Sequence, residues 1–297
     1  MSRRGPHRPA APTSGSQEPV RLVRIAGSCE PVVFLRAEDP PERRGTVERM
    51  YPRVLDRLTA AAWPALETRE LDGWLLRAAS GVTKRANSVL TSGAVTDPEH
   101  AIDAAEAFAR EHAIPPLLQL GPATLPADLP ERLAARGYAP HERTLVLTGT
   151  VQEALAALSG PPAVLEPSPS EDWLSLWWSV DGRGGAAERD VAQRILAGCD
   201  SSYALVRDER GAAACGRLAY ATAGDTPWCG LFSLATRPDA RRRGHAASVL
   251  RSLLGQAESG GVAHYWIQVL EANAPARRLY SALGATESSW YEYWRRP

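Results

Sequence analysis

Apolar positions recur along this chain with two periods, and the two alternate. Spacing of three and four over residues 46–63 places Val47, Met50, Val54 and Leu58 on one helical stripe. Alternation in 73–80 and 87–95 then predicts two strands joined by a turn around Gly81. A helix follows over 97–112, with Asp97 as its N-cap and Pro98 in the first helical position. A short buried strand at 116–120, a helix over 129–138 that ends at Gly137, and a strand at 142–149 complete the first half. The connector 149–170 begins as a helix and becomes rich in Pro and Ser, which sets a domain boundary near Gly160.

Past the boundary, helices are expected at 171–182 and 188–198 and strands at 202–208, 213–223 and 228–236. A turn and helix come next at 239–259, then a strand at 264–270, a helix at 274–284 and a last strand at 289–296. The two halves resemble each other. Aligning Gly137 with Gly284 gives an offset of 284 − 137 = 147 residues and places Leu133 opposite Tyr280. The pattern is that of a duplicated unit, with the arginine–glycine turn kept only in the second copy.

Residues 1–18 are rich in Pro, Arg and Ser, and the whole of 1–45 reads as a poorly ordered extension. Within it, residues 20–27 and 31–39 are candidate short strands, and Met50 is an alternative start. That leaves 46–160 and 161–297 as the two folded units. Arginine near the N-terminus is not followed by an apolar segment, and no run of about 18 apolar residues occurs, so a cytoplasmic protein without a membrane contact is expected. Lys and Arg total 34 and Asp and Glu total 34, so net charge gives no general attraction to nucleic acid. The four cysteines lie far apart without a metal-ligand pattern, and no metal is expected.

The chemistry concentrates in "DARRRGHAASVLRSLL", residues 239–254. A helix N-terminus offers unpaired amides and the positive end of the macrodipole, which together attract an anion. Gly244 and Ala246 leave room for a phosphate to approach, while Arg241, Arg242 and Arg243 add charge at the mouth. Ala246, Val249, Leu250, Leu253, Leu254 and Ala257 form the stripe that seats this helix on a sheet. About 30 residues after the turn comes "NAPARRLYSALGA", in which Asn273 caps a helix and Tyr280 lies on its inner face.

Together, "LATRPDARRRGHA" and "NAPARRLYSALGA" resemble the motifs of the GNAT superfamily of acyl-CoA-dependent N-acyltransferases. The resemblance covers residues 165–297, departs from the usual glycine at Ala246, and implies an α/β (α+β) fold. Two GNAT-like domains in tandem would each hold a mixed, mostly antiparallel sheet flanked by helices, the first being degenerate. It further implies acetyl-CoA as acyl donor. The backbone of Leu234, Ala235 and Thr236 would bind the pantetheine arm, and the turn Arg241, Arg242, Arg243, Gly244, His245, Ala246 and Ala247 would bind the diphosphate. Asn273 would touch the CoA arm and Tyr280 would protonate the departing thiolate. Glu271, or else Glu292, is the candidate to take the proton of the attacking amine.

A primary amine of a small molecule, whether an amino acid, a polyamine or an amino-containing natural product, is the expected acceptor, and the enzyme is expected as a monomer or homodimer. Trp173, Trp177 and Trp178 lie where this fold admits its acceptor, either walling a pocket or packing between the halves. The polar run Arg77, Thr83, Lys84, Arg85, Asn87 and Ser88 either faces the cleft between halves, binding an acidic group, or forms an exposed hairpin. Two other readings use the same residues: a nucleic-acid-binding module on the Arg241–Arg243 patch, and a CoA-binding regulatory protein without turnover.

Overall fold

A computed structural model describes residues 51–296 throughout, together with the backbone of 22–24, 31–33 and 41–50. The Pro-rich tail and Cys29 lie outside the described residues. In chain order the first half holds β1 (Leu22–Arg24), β2 (Pro31–Val33), α1 (Pro41–Ala62), β3 (Glu67–Leu71), β4 (Trp74–Ala78), β5 (Val89–Leu90), α2 (Pro98–Glu111), β6 (Leu117–Leu120), α3 (Leu129–Ala135) and β7 (Ala139–Thr150). The second half holds α4 (Val151–Ala157), β8 (Val164–Glu166), α5 (Glu171–Asp181), α6 (Ala186–Leu196), β9 (Ser201–Asp208), β10 (Gly211–Ala223), β11 (Thr226–Thr236), α7 (His245–Ser259), β12 (His264–Leu270), α8 (Ala274–Ser281) and β13 (Thr286–Arg295).

Eleven strands make one sheet in the order β3-β4-β5-β6-β13-β7-β12-β11-β10-β9-β8. The halves are therefore not separate sheets. Each sends its last strand into the other: β13 pairs with β6, β7 pairs with β12, and β7 and β13 pair with each other at the centre. Thr144 lies opposite Tyr291, and 291 − 144 = 147, the offset read from the sequence. A pseudo-two-fold axis thus passes between these two residues. The same offset carries Pro98, the start of α2, onto His245, the start of α7, and Leu117 of β6 onto His264 of β12. Parallel pairing of β5 with β6 is repeated by that of β11 with β12. Gly137 and Gly284 both take positive φ, 81° and 78°, after their helices, the left-handed ending that favours glycine.

Alternation along the strands sorts the core into two layers. On one face α2 and α3 cover Trp74, Leu76, Val89 and Leu118 in the first half. In the second half α7, α4 and α8 cover Leu145, Leu231, Ile267 and Val269 on that same face. The stripe on α7 supplies Val249, Leu250, Leu253, Leu254 and Ala257 to this layer, as its spacing predicts. On the opposite face α1, α5 and α6 close over a cluster rich in aromatics, including Trp63, Trp173, Trp177, Phe232, Trp266, Tyr291 and Tyr293. Cys215 and Cys229 are buried free thiols, and burial pushes both up to about 12. No helix among the described residues is long and apolar enough to cross a membrane.

Candidate functional site

The second half opens its sheet between β11 and β12. The two strands pair in parallel from Trp228 with His264 as far as Leu231 with Ile267, and no pairing follows. The cause is local. Pairing of β10 with β11 shifts between Cys215 and Arg217, and Ser233 there adopts φ 52°, so one extra residue bulges out of β11. Residues 233–236 thus show one edge of their backbone to the gap. Ser233 Oγ is buried there without a hydrogen-bond partner.

Below the gap, β11 leads through Arg237 into the arginine–glycine turn. Arg237 fixes this exit. Its Nη2 donates to both Asp208 carboxylate oxygens at 2.8 and 2.9 Å, its Nε to Asp239 Oδ1 at 2.6 Å, and its Nη1 to Ala212 O at 2.8 Å. The same guanidinium holds the Asp208 carboxyl below the usual carboxylate range. Sequence reasoning gave Arg237 no role, because nothing local to "TRPD" shows which distant carboxylate it meets.

The turn itself is arranged as an anion cradle. Gly244 caps α7 with φ 83° and ψ −4°, a left-handed conformation, and it has no side chain to occupy the helix's first amides. Arg242 also takes a positive φ of 59°. Arg241, Arg242 and Arg243 are exposed, and Arg241 Nε returns to Thr236 O at 3.3 Å. His245 Nε2 is buried and lacks a partner. An uncapped helix start, a bulged strand edge and two orphaned buried polar atoms thus follow one another along the segment from β11 to α7, and they suit a ligand with a diphosphate and an amide-bearing arm.

Asn273 and Tyr280 are set by α8. Asn273 Oδ1 accepts from Ala276 N at 3.2 Å, so the residue is the N-cap. Tyr280 is buried in the layer that also contains Leu231 and Ile267, the last paired residues before the gap, and Val249 from α7. Its hydroxyl has no hydrogen-bond partner among the described residues, and burial pushes it up to about 12. At neutral pH it stays a proton donor.

A family model described as "Probable histone acetyltransferase Rv0428c C-terminal" matches residues 52–294. The chain belongs to that family. It is a GNAT N-acetyltransferase. "Uncharacterized N-acetyltransferase YobR" of Bacillus subtilis is 26% identical over 246 residues, 81% of this chain and 97% of the relative. "Probable histone acetyltransferase Rv0428c" of Mycobacterium tuberculosis is 28% identical over 292 residues, covering 87% and 88% of the two chains. The solved structure "GCN5-related N-acetyltransferase from Kribbella flavida" shares the fold, with TM-score 0.57 and 14% identity over 84% of this chain and 96% of that one.

In this GNAT enzyme the face of the sheet opposite α7 and α8 is the aromatic one. Trp173 is 0% exposed, and its Nε1 donates to Gly216 O at 3.1 Å. Its place is in the core, which corrects its assignment to an acceptor pocket. Trp177 is also buried in this core cluster, 6.4 Å from Trp63 at a steep angle, and of the three only Trp178 is half-buried. The proton acceptors expected from sequence lie outside that cluster. Glu271 is exposed in the turn between β12 and α8, its backbone amide bonded to Arg143 O. Glu292 alternates away from Tyr291 and Tyr293, and pairs with Arg143 at 3.5 Å. Neither carboxylate joins the aromatic cluster. His264 stacks on Trp228 at 4.9 Å and burial lowers its basicity, as befits a structural histidine.

The polar run from the first half is not an exposed hairpin. Arg77, Asn87 and Ser88 are buried, and Thr83, Lys84 and Arg85 are half-buried. Arg77 donates to Ser88 O, Ser88 Oγ and Gln119 Oε1 at 2.7–3.0 Å. Beside it lies Asp56, raised by burial to about 7 despite the Arg77 charge. A carboxyl that holds its proton better when folded than when unfolded costs stability as pH rises from about 4 to about 7, and no further above that. Asp56→Asn is expected to remove this loss, which is on the order of a few kcal/mol. Urea unfolding at pH 5 and pH 8 checks it: wild type should lose more stability between the two than the variant, and equal losses would mean Asp56 titrates as it does in water.

Proposed function

We propose that this GNAT enzyme transfers an acetyl group from acetyl-CoA to a primary amine of a small molecule. The observation that carries this reading is the parting of β11 and β12 beside an uncapped α7. GNAT acetyltransferases generally use acetyl-CoA, which brings an activated acetyl thioester. The amides of residues 241–247 hold the diphosphate against the helix dipole, with Arg241, Arg242 and Arg243 balancing its charge. Free backbone groups at Leu234 and Thr236 align the pantetheine arm as an added strand would be aligned, and Ala235 turns the other way into the core. Asn273 closes the far side. An amide in the bulge around Leu234 is placed to polarise the acetyl carbonyl. Tyr280 Oη holds the proton that the leaving thiolate requires.

The acceptor enters from the aromatic face, past Trp177 and Trp178. Because both substrates sit on opposite sides of one opening, transfer is direct and leaves no covalent enzyme intermediate. The test is incubation with acetyl-CoA and a panel of primary amines, reading thiol release and the acetylated product by mass spectrometry. Binding of acetyl-CoA with turnover of at least one small amine is expected. Absence of both binding and turnover would refute the reading.

A further inference from the structure

The first half lacks an arginine–glycine turn, yet it delivers a strained and well-braced loop to the opening. Ser80, Gly81 and Thr83 all take positive φ, 50°, 75° and 64°. For a β-branched residue such as Thr83 this costs about 1–3 kcal/mol and persists only where the surroundings enforce it. They do. Asn87 Oδ1 accepts from Ala79 N and Gly81 N at 2.7 and 2.9 Å, and its Nδ2 donates to Val82 O and Thr83 O at 2.8 Å each. Trp63 Nε1 donates to Thr83 Oγ1 at 3.0 Å. The loop presents Arg85. Its guanidinium lies 4.5 Å from the centroid of Trp63 and 5.8 Å from that of Phe232, and its Nη1 donates to Gln268 Oε1 at 3.3 Å. Gln268 is the first residue of β12 past its pairing with β11, and Phe232 is the residue just before the bulge.

Charge at this place is unbalanced. Arg217 lies over the same two rings at 5.7 and 5.6 Å, fully buried, with Ala62 O and Cys199 Sγ as acceptors and Nε unpartnered. Among the described residues no carboxylate pairs with Arg85 or Arg217. The nearby buried carboxyl, Asp56, faces Arg77. The indole N–H groups of Trp177 and Trp266, in the same cluster, are buried without acceptors. Fixed donors and cations without an anion are costly in a dry site, and an anionic group on the incoming acceptor relieves that cost.

We propose that Arg85, carried to the opening by the first half, is a specificity residue that binds a carboxylate of the acceptor, so that the substrates are amino acids or similar amino-carboxylates. The inference rests on the proposed acetyl transfer. Arg85 suits the task because a guanidinium stacked on an aromatic face keeps its planar fork free for a bidentate carboxylate. Gln268, whose Nε2 reaches the Tyr291 hydroxyl at 3.4 Å, holds the fork's orientation from below.

The test uses the full chain with saturating acetyl-CoA and three forms of each common L-amino acid: the free acid, its amide and its decarboxylated amine. A lysine-rich peptide is included. Wild type should favour the free acid of its best substrate by about 30-fold or more in kcat/KM. In Arg85→Met that preference should vanish through the acceptor KM, with the KM for acetyl-CoA unchanged, and Arg85→Lys should restore part of it. Wild-type preference for the amide, the decarboxylated amine or the peptide overturns the inference. So does an equal slowing of all three acceptor forms in Arg85→Met, or turnover of none of them. Donor binding, measured by calorimetry on wild type, separates the two claims: if it is present, only the acceptor assignment fails, and if it is absent, the proposed function fails. Should Arg85→Met not fold, the wild-type preference and Arg85→Lys decide.

Discussion

Tyr280→Phe is expected to lower kcat about 100-fold while leaving acetyl-CoA affinity within twofold, since a positioned general acid contributes on the order of 10²-fold or more. The fold should be unharmed. The residue is buried in an apolar layer and its hydroxyl has no partner among the described residues, so its removal strands no other polar group. The pH profile distinguishes this role from packing. Burial pushes Tyr280 up to about 12, so the acid form persists across the accessible range. The wild-type rate should therefore rise with pH as the acceptor ammonium loses its proton, and it should show no descending limb up to about pH 10. The measurement is steady-state kinetics from pH 6 to pH 10 for both proteins. A variant that keeps more than half of the wild-type rate would place Tyr280 in the core and nothing more.

Much of the α7–α8 machinery could be read from the chain because it is local. The stripe from Ala246 to Ala257 fixes which side of α7 meets the sheet, and so fixes where its N-terminus points. The cap at Asn273 and the inward face of Tyr280 follow from spacing alone. Even the offset of 147 residues survives as a true pseudo-two-fold relation at Thr144 and Tyr291. What alternation does not encode is which strand lies beside which. The exchange of β7 and β13 between the halves depends on pairing partners far apart in sequence, and neither strand carries a mark of it. The bulge is equally silent, because the positive φ falls on Ser233 rather than on a glycine. Trp173 and Trp177 share a helix face and both go to the core, but spacing does not show that Gly216 O accepts the Trp173 N–H while that of Trp177 is left without an acceptor. The polar density around Arg85 was visible, but its direction was set by Asn87, which closes the 79–83 loop, and by Trp63, which bonds Thr83 from 20 residues away.

Ala247→Glu tests the cradle from the opposite direction, by supplying the anion within the chain. Ala247 is the third residue after the Gly244 cap, where a glutamate side chain reaches back to the cap amide. At present the cap makes no side-chain hydrogen bond, and the first turn of α7 contains no acidic residue. A carboxylate there complements the helix dipole and is worth about 0.3–1 kcal/mol to the fold. It also occupies the amides that the diphosphate needs and sets a negative charge against it. The expected result is therefore a split: thermal stability unchanged or raised by about 1–3 °C, and acetyl-CoA affinity lowered by 100-fold or more. Calorimetric titration and a thermal melt on the same preparation read both. Loss of affinity with loss of stability would mean simple misfolding, which Ala247→Gln, neutral and nearly the same size, would then share. Retained affinity in a folded Ala247→Glu protein would show that the diphosphate is bound elsewhere, and with it the alignment of Leu234, Thr236 and Tyr280 along one path would fail.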